Sequence, residues 1–116
     1  MTLQYLVGTP AAKDSEGVYA IKWNTTQKEG GGTSAFSSPK PTGTFKPSAP
    51  SGAFREVTGP VTFKKGTTTR TGTFFGALMG TSPTGAIMGR VAWDDGTEGT
   101  FTLGAGARRC DMSLTF

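Results

Sequence analysis

The sequence predicts an all-β protein: an antiparallel β-sandwich or small β-barrel formed by one domain over residues 1–116. Gly and Thr are heavily used, and β-branched Thr favours extended backbone. No ten-residue window without Gly or Pro carries apolar residues at helical spacing. A phrase of Gly, a small residue and Phe or Ile also recurs, as expected where strands leave turns. Its copies are Gly43-Thr44-Phe45, Gly52-Ala53-Phe54, Gly72-Thr73-Phe74, Gly85-Ala86-Ile87 and Gly99-Thr100-Phe101.

Alternating apolar and polar residues predict the individual strands. In the first strand, Leu3, Tyr5 and Val7 are expected to share one face. The clearest hairpin turns at Asp95-Gly96, a pair that accepts positive φ. The predicted strands span 2–7, 18–23, 53–57, 61–64, 67–75, 86–93, 97–103 and 110–116. The predicted core comprises Tyr19, Ile21, Trp23, Val61, Phe63, Phe74, Val91, Trp93, Phe101, Leu103, Met112, Leu114 and Phe116.

Residues 37–51 form a Pro-rich segment that we expect to be an extended arm or loop. Proline lacks a backbone N–H donor, so the segment is not expected to be a central strand. Ordering each residue costs about 1–2 kcal/mol, whereas burying Phe45, its one large apolar residue, returns about 1.5–3 kcal/mol. We therefore expect the arm to lie on a partner subunit, with Phe45 as its anchor. The residues assigned to this contact are Pro39, Lys40, Pro41, Phe45, Lys46, Pro47 and Pro50.

The side chains needed for catalysis and metal binding are scarce. The chain has no His, so no Ser–His or Cys–His pair and no His ligand for zinc can form. The single Cys110 excludes an intrachain disulfide and is interpreted as a small core residue. Asp94, Asp95 and Glu98 cluster around a hairpin turn, and the turn itself explains them better than a cation site. We expect no enzymatic activity, no cofactor and no metal.

The chain is mildly basic, with a formal net charge of +4. Lys64, Lys65 and Arg70 lie near Phe63, Phe74 and Phe75 in the sequence, and small basic barrels bind single-stranded nucleic acid by combining such residues. Core packing also explains Phe63 and Phe74. An anion or nucleic-acid contact through the three basic residues is therefore the second functional hypothesis.

Residues 91–99, Val-Ala-Trp-Asp-Asp-Gly-Thr-Glu-Gly, resemble a stretch of the lambda-type phage head-decoration proteins. Those are small, helix-poor proteins that trimerise and clamp the outside of a capsid. The resemblance implies a homo-oligomer, a trimer or larger, that contacts a capsid or other virion protein. It also implies location in the virion after assembly in the host cytoplasm. We expect neither an export signal nor a membrane span, so the alternative location is cytoplasmic.

The leading hypothesis is thus a non-enzymatic structural protein, such as a capsid decoration or cement protein, that acts through oligomeric contacts. The first alternative is a small basic barrel that binds single-stranded nucleic acid. The second alternative is a barrel that encloses a small apolar ligand, lined by Trp23, Trp93 and several Phe residues. Aromatic residues that simply fill the core give the same pattern.

Overall fold

The computed structural model describes residues 3–27, 30–81 and 85–115. Within these ranges the backbone is mainly extended and contains no α-helix. The strands are β1 (Leu3–Pro10), β2 (Tyr19–Gln27), β3 (Thr33–Ala35), β4 (Thr42–Phe45), β5 (Glu56–Lys65), β6 (Thr68–Met79), β7 (Ala86–Trp93), β8 (Glu98–Leu103) and β9 (Cys110–Thr115). A short 3₁₀ turn over Ala105–Ala107 precedes β9.

Eight of these strands form a closed antiparallel barrel. Around the barrel their order is β1, β2, β4, β5, β6, β7, β8 and β9, and β9 pairs with β1 to close the ring. The remaining strand, β3, pairs with the last residues of β2, beyond the part of β2 that pairs with β4. The all-β prediction is confirmed, and of its two architectures the chain adopts the barrel.

The barrel interior is filled by large side chains from the inward face of every barrel strand. Three of them, Phe45, Phe74 and Phe101, pack against one another with ring centroids 4.6–5.5 Å apart, distances typical of tilted and edge-to-face pairs. Most of the predicted core is confirmed as buried. Tyr19 is only half-buried, and Phe116 lies outside the described residues. The buried core consists of Leu6, Ile21, Trp23, Phe45, Val57, Val61, Phe63, Phe74, Val91, Trp93, Phe101, Leu103, Cys110, Met112 and Leu114.

Cys110 packs as a small apolar residue, as predicted, and its side chain is fully buried. Burial raises the pKa of its thiol, and the nearby carboxylate of Asp111 raises it further. The thiolate is therefore disfavoured, and nothing in this environment favours a reactive cysteine.

The face of β1 that carries Leu3, Tyr5 and Val7 is the outer one. Tyr5 is 50% exposed, whereas Leu6 is buried in the core. The next inward position is Gly8, where an added Cβ would lie 2.7 Å from Cε3 of Trp23. Packing of the Trp23 ring on this glycine fixes which face of β1 is inward, and the side-chain period of two then directs Leu6 inward as well.

The two halves of the barrel repeat one pattern. In the first half, Trp23 pairs with a glycine of the preceding strand, Gly8, and the residue two before it pairs with Gly43 of the following strand. In the second half, Trp93 pairs with Gly72, and the residue two before it pairs with Gly99. The equivalent strands are β1 and β6, β2 and β7, β4 and β8, and β5 and β9.

Smaller details follow the same repeat. The N–H of Thr44 in β4 donates to the hydroxyl of Thr62 in β5, and the two hydroxyls lie 2.8 Å apart. The N–H of Thr100 in β8 donates to the hydroxyl of Ser113 in β9, with the hydroxyls 3.1 Å apart. The barrel is therefore built from two consecutive four-stranded units that share one register.

The Pro-rich segment is not an arm over its whole length. Thr42–Phe45 is a barrel strand between β2 and β5, so the prediction that the segment contributes no central strand is wrong. The chain then continues along β5, where Ser48 donates to the carbonyl of Thr58, and Ser51 and Glu56 exchange two backbone hydrogen bonds. Pro47 lies between two residues, Lys46 and Ser48, whose N–H groups point toward β5. An N–H group at Pro47 would point away from β5, toward the side on which β2 no longer pairs with the chain. The missing donor therefore removes no hydrogen bond of the sheet.

The hairpin between β7 and β8 is confirmed, but its turn differs from the expected pair. The N–H of Gly96 donates to the carbonyl of Trp93, and that of Trp93 donates to the carbonyl of Thr97. Only Gly96 in this turn has a positive φ, +85°. The connection is therefore a three-residue loop with glycine in the left-handed position.

Candidate ligand-binding mouth

The two ends of the barrel differ in how they are closed. One end is crossed by Arg70, whose side chain reaches from the start of β6 to the end of β9. The other end, which we call the mouth, is surrounded by the loops 11–18, 46–55 and 104–109 and by the described residues at the end of β6 and the start of β7. A cavity lies at the mouth, between the described residues of these loops and the strand ends.

At the closed end, Arg70 is held by charged and polar partners. Its Nε lies 3.0 Å from Asp94, its Nη2 pairs with Asp95, and its Nη1 donates to the carbonyl of Thr115 at 2.6 Å. The hydrogen bond from Arg70 is the main cause that holds the pKa of Asp94 below its usual value. The pKa of Asp95 is lowered mainly by hydrogen bonds from Thr97, with Arg70 adding to the effect. Both carboxylates therefore favour the fold above their usual pKa, and this contribution disappears as the pH falls through their lowered values.

The mouth contains a cavity of about 610 Å³. Its walls are the last inward-facing residues of several strands, mainly apolar, together with the Pro-rich continuation of β4. The apolar side chains of the cavity wall include Tyr19, Val57, Leu78, Ile87, Leu103 and Ala107. Val57 and Leu103 are buried, while Tyr19, Leu78 and Ile87 are half-buried and face the opening. The cavity therefore continues the apolar core outward instead of cutting into it.

The loops around the mouth are held by local hydrogen bonds. The carboxylate of Asp14 accepts the N–H groups of Glu16 and Val18, and the bond from Val18 is the main cause that lowers the pKa of Asp14. Across the opening, Gly104 donates to the carbonyl of Arg109, which closes the loop before β9. The mouth is therefore bordered by ordered turns, and Lys13 is the one charged residue among the described residues that line the cavity.

The residues predicted for the arm separate into three places. Pro39 and Lys40 are exposed near the closed end, before β4 begins, and Lys46 is exposed just after β4 ends. Pro41 and Phe45 are buried, so Phe45 is not exposed to anchor a partner subunit. Pro47 and Pro50 line the mouth.

The three predicted anion-binding residues are also separated. Lys64 and Lys65 are exposed at the end of β5, and Nζ of Lys65 lies 5.5 Å from the centroid of the Phe36 ring. Arg70 instead turns toward Asp94 and Asp95 at the closed end. Sequence reasoning missed the mouth itself, because Val57 and Leu103 are distant in the chain and meet only once the barrel closes. The available signal was that each is an inward residue at the mouth end of its strand.

No family model, curated protein or solved structure matches the chain. Among the described residues, no three His, Cys, Asp or Glu side chains come together in a group that could hold a metal ion. The same part of the chain contains no helix that is both long and apolar enough to cross a lipid bilayer. The geometry of the barrel is therefore the basis for the functional proposals.

Proposed function

We propose that the protein is a binding protein that takes up a small, largely apolar molecule at the mouth of its barrel. One observation carries this proposal: the apolar cavity of about 610 Å³ at the mouth. Its size lies within the range of about 300–1,000 Å³ that is usual for small-molecule sites, and barrel mouths are a common place for such sites. This is the second of the two alternatives considered from the sequence, with the ligand above the buried tryptophans instead of between them.

The packing inside the barrel explains why the ligand would sit at the mouth. An eight-stranded barrel has an interior just wide enough to be filled by side chains or to hold one small ligand. Here Phe45, Phe74 and Phe101 fill the centre. The free space begins above them, between Leu78, Ile87 and the Pro-rich continuation of β4. An apolar body fits these walls, and a carboxylate at the outer end of the ligand would be favoured by Lys13.

Ala49→Trp should block the mouth, because Ala49 lines the cavity and an indole ring there would occupy its volume. The probe is 8-anilinonaphthalene-1-sulfonate, an aromatic anion, followed by fluorescence titration at one-to-one stoichiometry. We expect Ala49→Trp to weaken binding at least about tenfold, equivalent to about 1.4 kcal/mol. The matched control is Ala53→Trp, at an exposed position in the next turn that does not line the cavity.

Amide chemical-shift changes should locate the bound probe. In the native protein they should concentrate at Leu78, Ile87 and Leu103. The proposal fails if neither this probe nor a panel of apolar carboxylic acids binds more tightly than about 1 mM. It also fails if Ala49→Trp and the control bind equally well.

A second candidate function is assembly with copies of the same chain, which the sequence analysis placed first. The outer wall of β6 and β7 favours it, because Phe75, Met79 and Met88 are exposed there by 44–55%. Glu56 borders this apolar patch on β5, and Arg90 borders it on β7, 5.0 Å from the Phe75 ring. A two-fold contact between copies can therefore cover the apolar residues and bring opposite charges together. Whether such an assembly belongs to a virion stays a prediction, as does the absence of enzymatic activity.

The double variant Phe75→Ser/Met88→Ser should abolish this self-association, measured as the concentration-dependent mass in light scattering after gel filtration. The control is Leu3→Ser/Tyr5→Ser, which removes two side chains of similar exposure from the outer face of β1. A wild-type protein that stays monomeric at about 1 mM, far above the Kd of a stable dimer, would exclude the assembly proposal. Unchanged association of the Phe75/Met88 variant would show that another surface is used.

A further inference from the structure

A group of three lysines lies on the outer wall of the barrel near its closed end. Lys22 in β2 pairs with Thr42 in β4, and Thr42 pairs with Lys64 in β5, so the two lysines stand on either side of one threonine. Their Cα atoms are separated by about two strand spacings, or about 10 Å. Lys40 precedes Thr42 by two residues and is also exposed. We call Lys22, Lys40 and Lys64 the lysine wall.

The lysine wall lacks neutralising carboxylates. Strands β2 and β4 contain no Asp or Glu, and the single acidic residue of β5, Glu56, is at the opposite end of that strand. By the spacing of a strand, Glu56 is about 26 Å from Lys64, well beyond the screening length of about 8 Å at physiological salt. None of the three lysines makes an ion pair with a described residue.

Three arginines of the described chain, in contrast, have carboxylate partners. Arg70 pairs with Asp94 and Asp95, and Arg90 pairs with Glu98. Arg109 pairs with Asp111. Like charges at the spacing of the lysine wall repel each other, and neither β2 nor β4 supplies a carboxylate that would offset the repulsion. The lysine wall thus concentrates positive charge that does not stabilise the fold through an ion pair.

From this arrangement we infer that the lysine wall binds the phosphate backbone of nucleic acid, independently of sequence. Lysine ammonium groups suit phosphates as compact point charges, and the exposed hydroxyl of Thr42 between them adds a donor. A stable protein partner would need buried aromatic or apolar anchors. On the exposed positions of β2 and β4 the wall offers only Ala20 besides polar and charged residues.

The inference changes the site expected from the sequence. Lys64 is retained, Lys22 and Lys40 join it through strand pairing, and Arg70 is excluded because its guanidinium pairs with Asp94 and Asp95. Phe63 and Phe74 are fully buried, so they cannot stack on bases. Phe75 is exposed, but it pairs with Thr58, which is six residues from Lys64 along β5. Contact through the backbone alone predicts strong salt dependence and little discrimination between sequences.

The test measures fluorescence anisotropy of a labelled 20-nucleotide DNA, as a single strand and as a duplex, between 50 and 200 mM salt. We expect a Kd of about 1–100 µM for the wild type, as for non-specific binding at physiological salt. The triple variant Lys22→Gln/Lys40→Gln/Lys64→Gln should bind at least about tenfold more weakly. For the duplex, the slope of log K against log salt concentration should become shallower by about two to three, since each lost phosphate contact removes about one released ion. The Kd of the single variant Lys64→Gln should lie between those of the wild type and the triple variant.

The matched control is Arg55→Gln/Arg108→Gln/Arg109→Gln, which removes the same charge from other exposed positions and should change the Kd less than about threefold. Equal weakening in both triple variants would reduce the effect to net charge and overturn the inference. Absence of binding at 50 mM salt would also overturn it. So would an equally tight, equally lysine-dependent complex with poly-glutamate, because that outcome would indicate an acidic protein partner instead of nucleic acid.

Discussion

Replacing Phe45 by Ala should lower the free energy of unfolding by about 3–5 kcal/mol, the usual cost of truncating a large core aromatic. Phe45 is fully buried and packs edge-to-face on Phe74 and with a tilted ring on Phe101. Removing the ring leaves a cavity between Phe74 and Phe101 in the centre of the barrel. The measurement is denaturation in guanidinium chloride, followed by tryptophan fluorescence.

Phe54→Ala is the matched control, because Phe54 is 81% exposed in the turn before β5. It should change the free energy of unfolding by no more than about 0.5 kcal/mol. A cost under about 1 kcal/mol for Phe45→Ala would contradict the packing described here. That result would also restore the expectation that Phe45 is available to a partner subunit.

Gly99→Ala should be destabilising by about 3 kcal/mol, at the upper end of the range for overpacking. An added Cβ would lie far inside contact distance of the Ser113 carbonyl oxygen and 3.0 Å from Nε1 of Trp93. The carbonyl belongs to the backbone of β9, so it cannot rotate away as a flexible side chain would. Strand β8 or β9 must shift, and the hydrogen bonds between Thr100 and Ser113 weaken with it.

The control for this variant is Gly32→Ala. No atom of the described chain lies within 4 Å of a Cβ at that position, and its backbone angle is not one that requires glycine. We expect a change within about 0.5 kcal/mol. Equal unfolding midpoints for Gly99→Ala and the wild type would mean that β8 and β9 are not in the register described.

Most of the barrel strands could be predicted because the alternation of apolar and polar residues is a local signal. Alternation did not show which face of the first strand points inward, because that choice depends on a distant residue. In β1, both alternating sets contain apolar side chains, and Trp23 packing on Gly8 selects the set that includes Leu6. The recurring Gly-Thr-Phe phrase indicates strands, but its glycines do not all mark the turns that the sequence predicts. Gly43, Gly72 and Gly99 lie inside strands, and close approach of a neighbouring backbone or side chain requires them.

The Pro-rich segment was misread for a different physical reason. A missing N–H weakens a strand only where a neighbouring strand offers a carbonyl to it. Thr42–Phe45 contains no proline and pairs on both sides. The nitrogen of Pro47 points to the side on which β2 no longer pairs with the chain. Strand order, which the sequence does not display, decides this. The mouth cavity was beyond prediction for the same reason, because Val57, Ile87 and Leu103 converge only through the closed barrel.

The repeated register of the two halves bears on how such a barrel can arise. A chain half as long, with four strands in this order, would leave its first and last strands with unpaired backbone groups and its tryptophan on an open sheet. Two copies side by side would satisfy both edges at once, with the same pairings that now join β5 to β6 and β9 to β1. In the present chain the two-residue turn at Gly66-Thr67 joins the units covalently. Within one chain the pairing of the two halves is intramolecular and does not depend on concentration. Equivalent positions can then differ: Leu6 of β1 is buried in the core, whereas its counterpart in β6, Arg70, crosses the closed end.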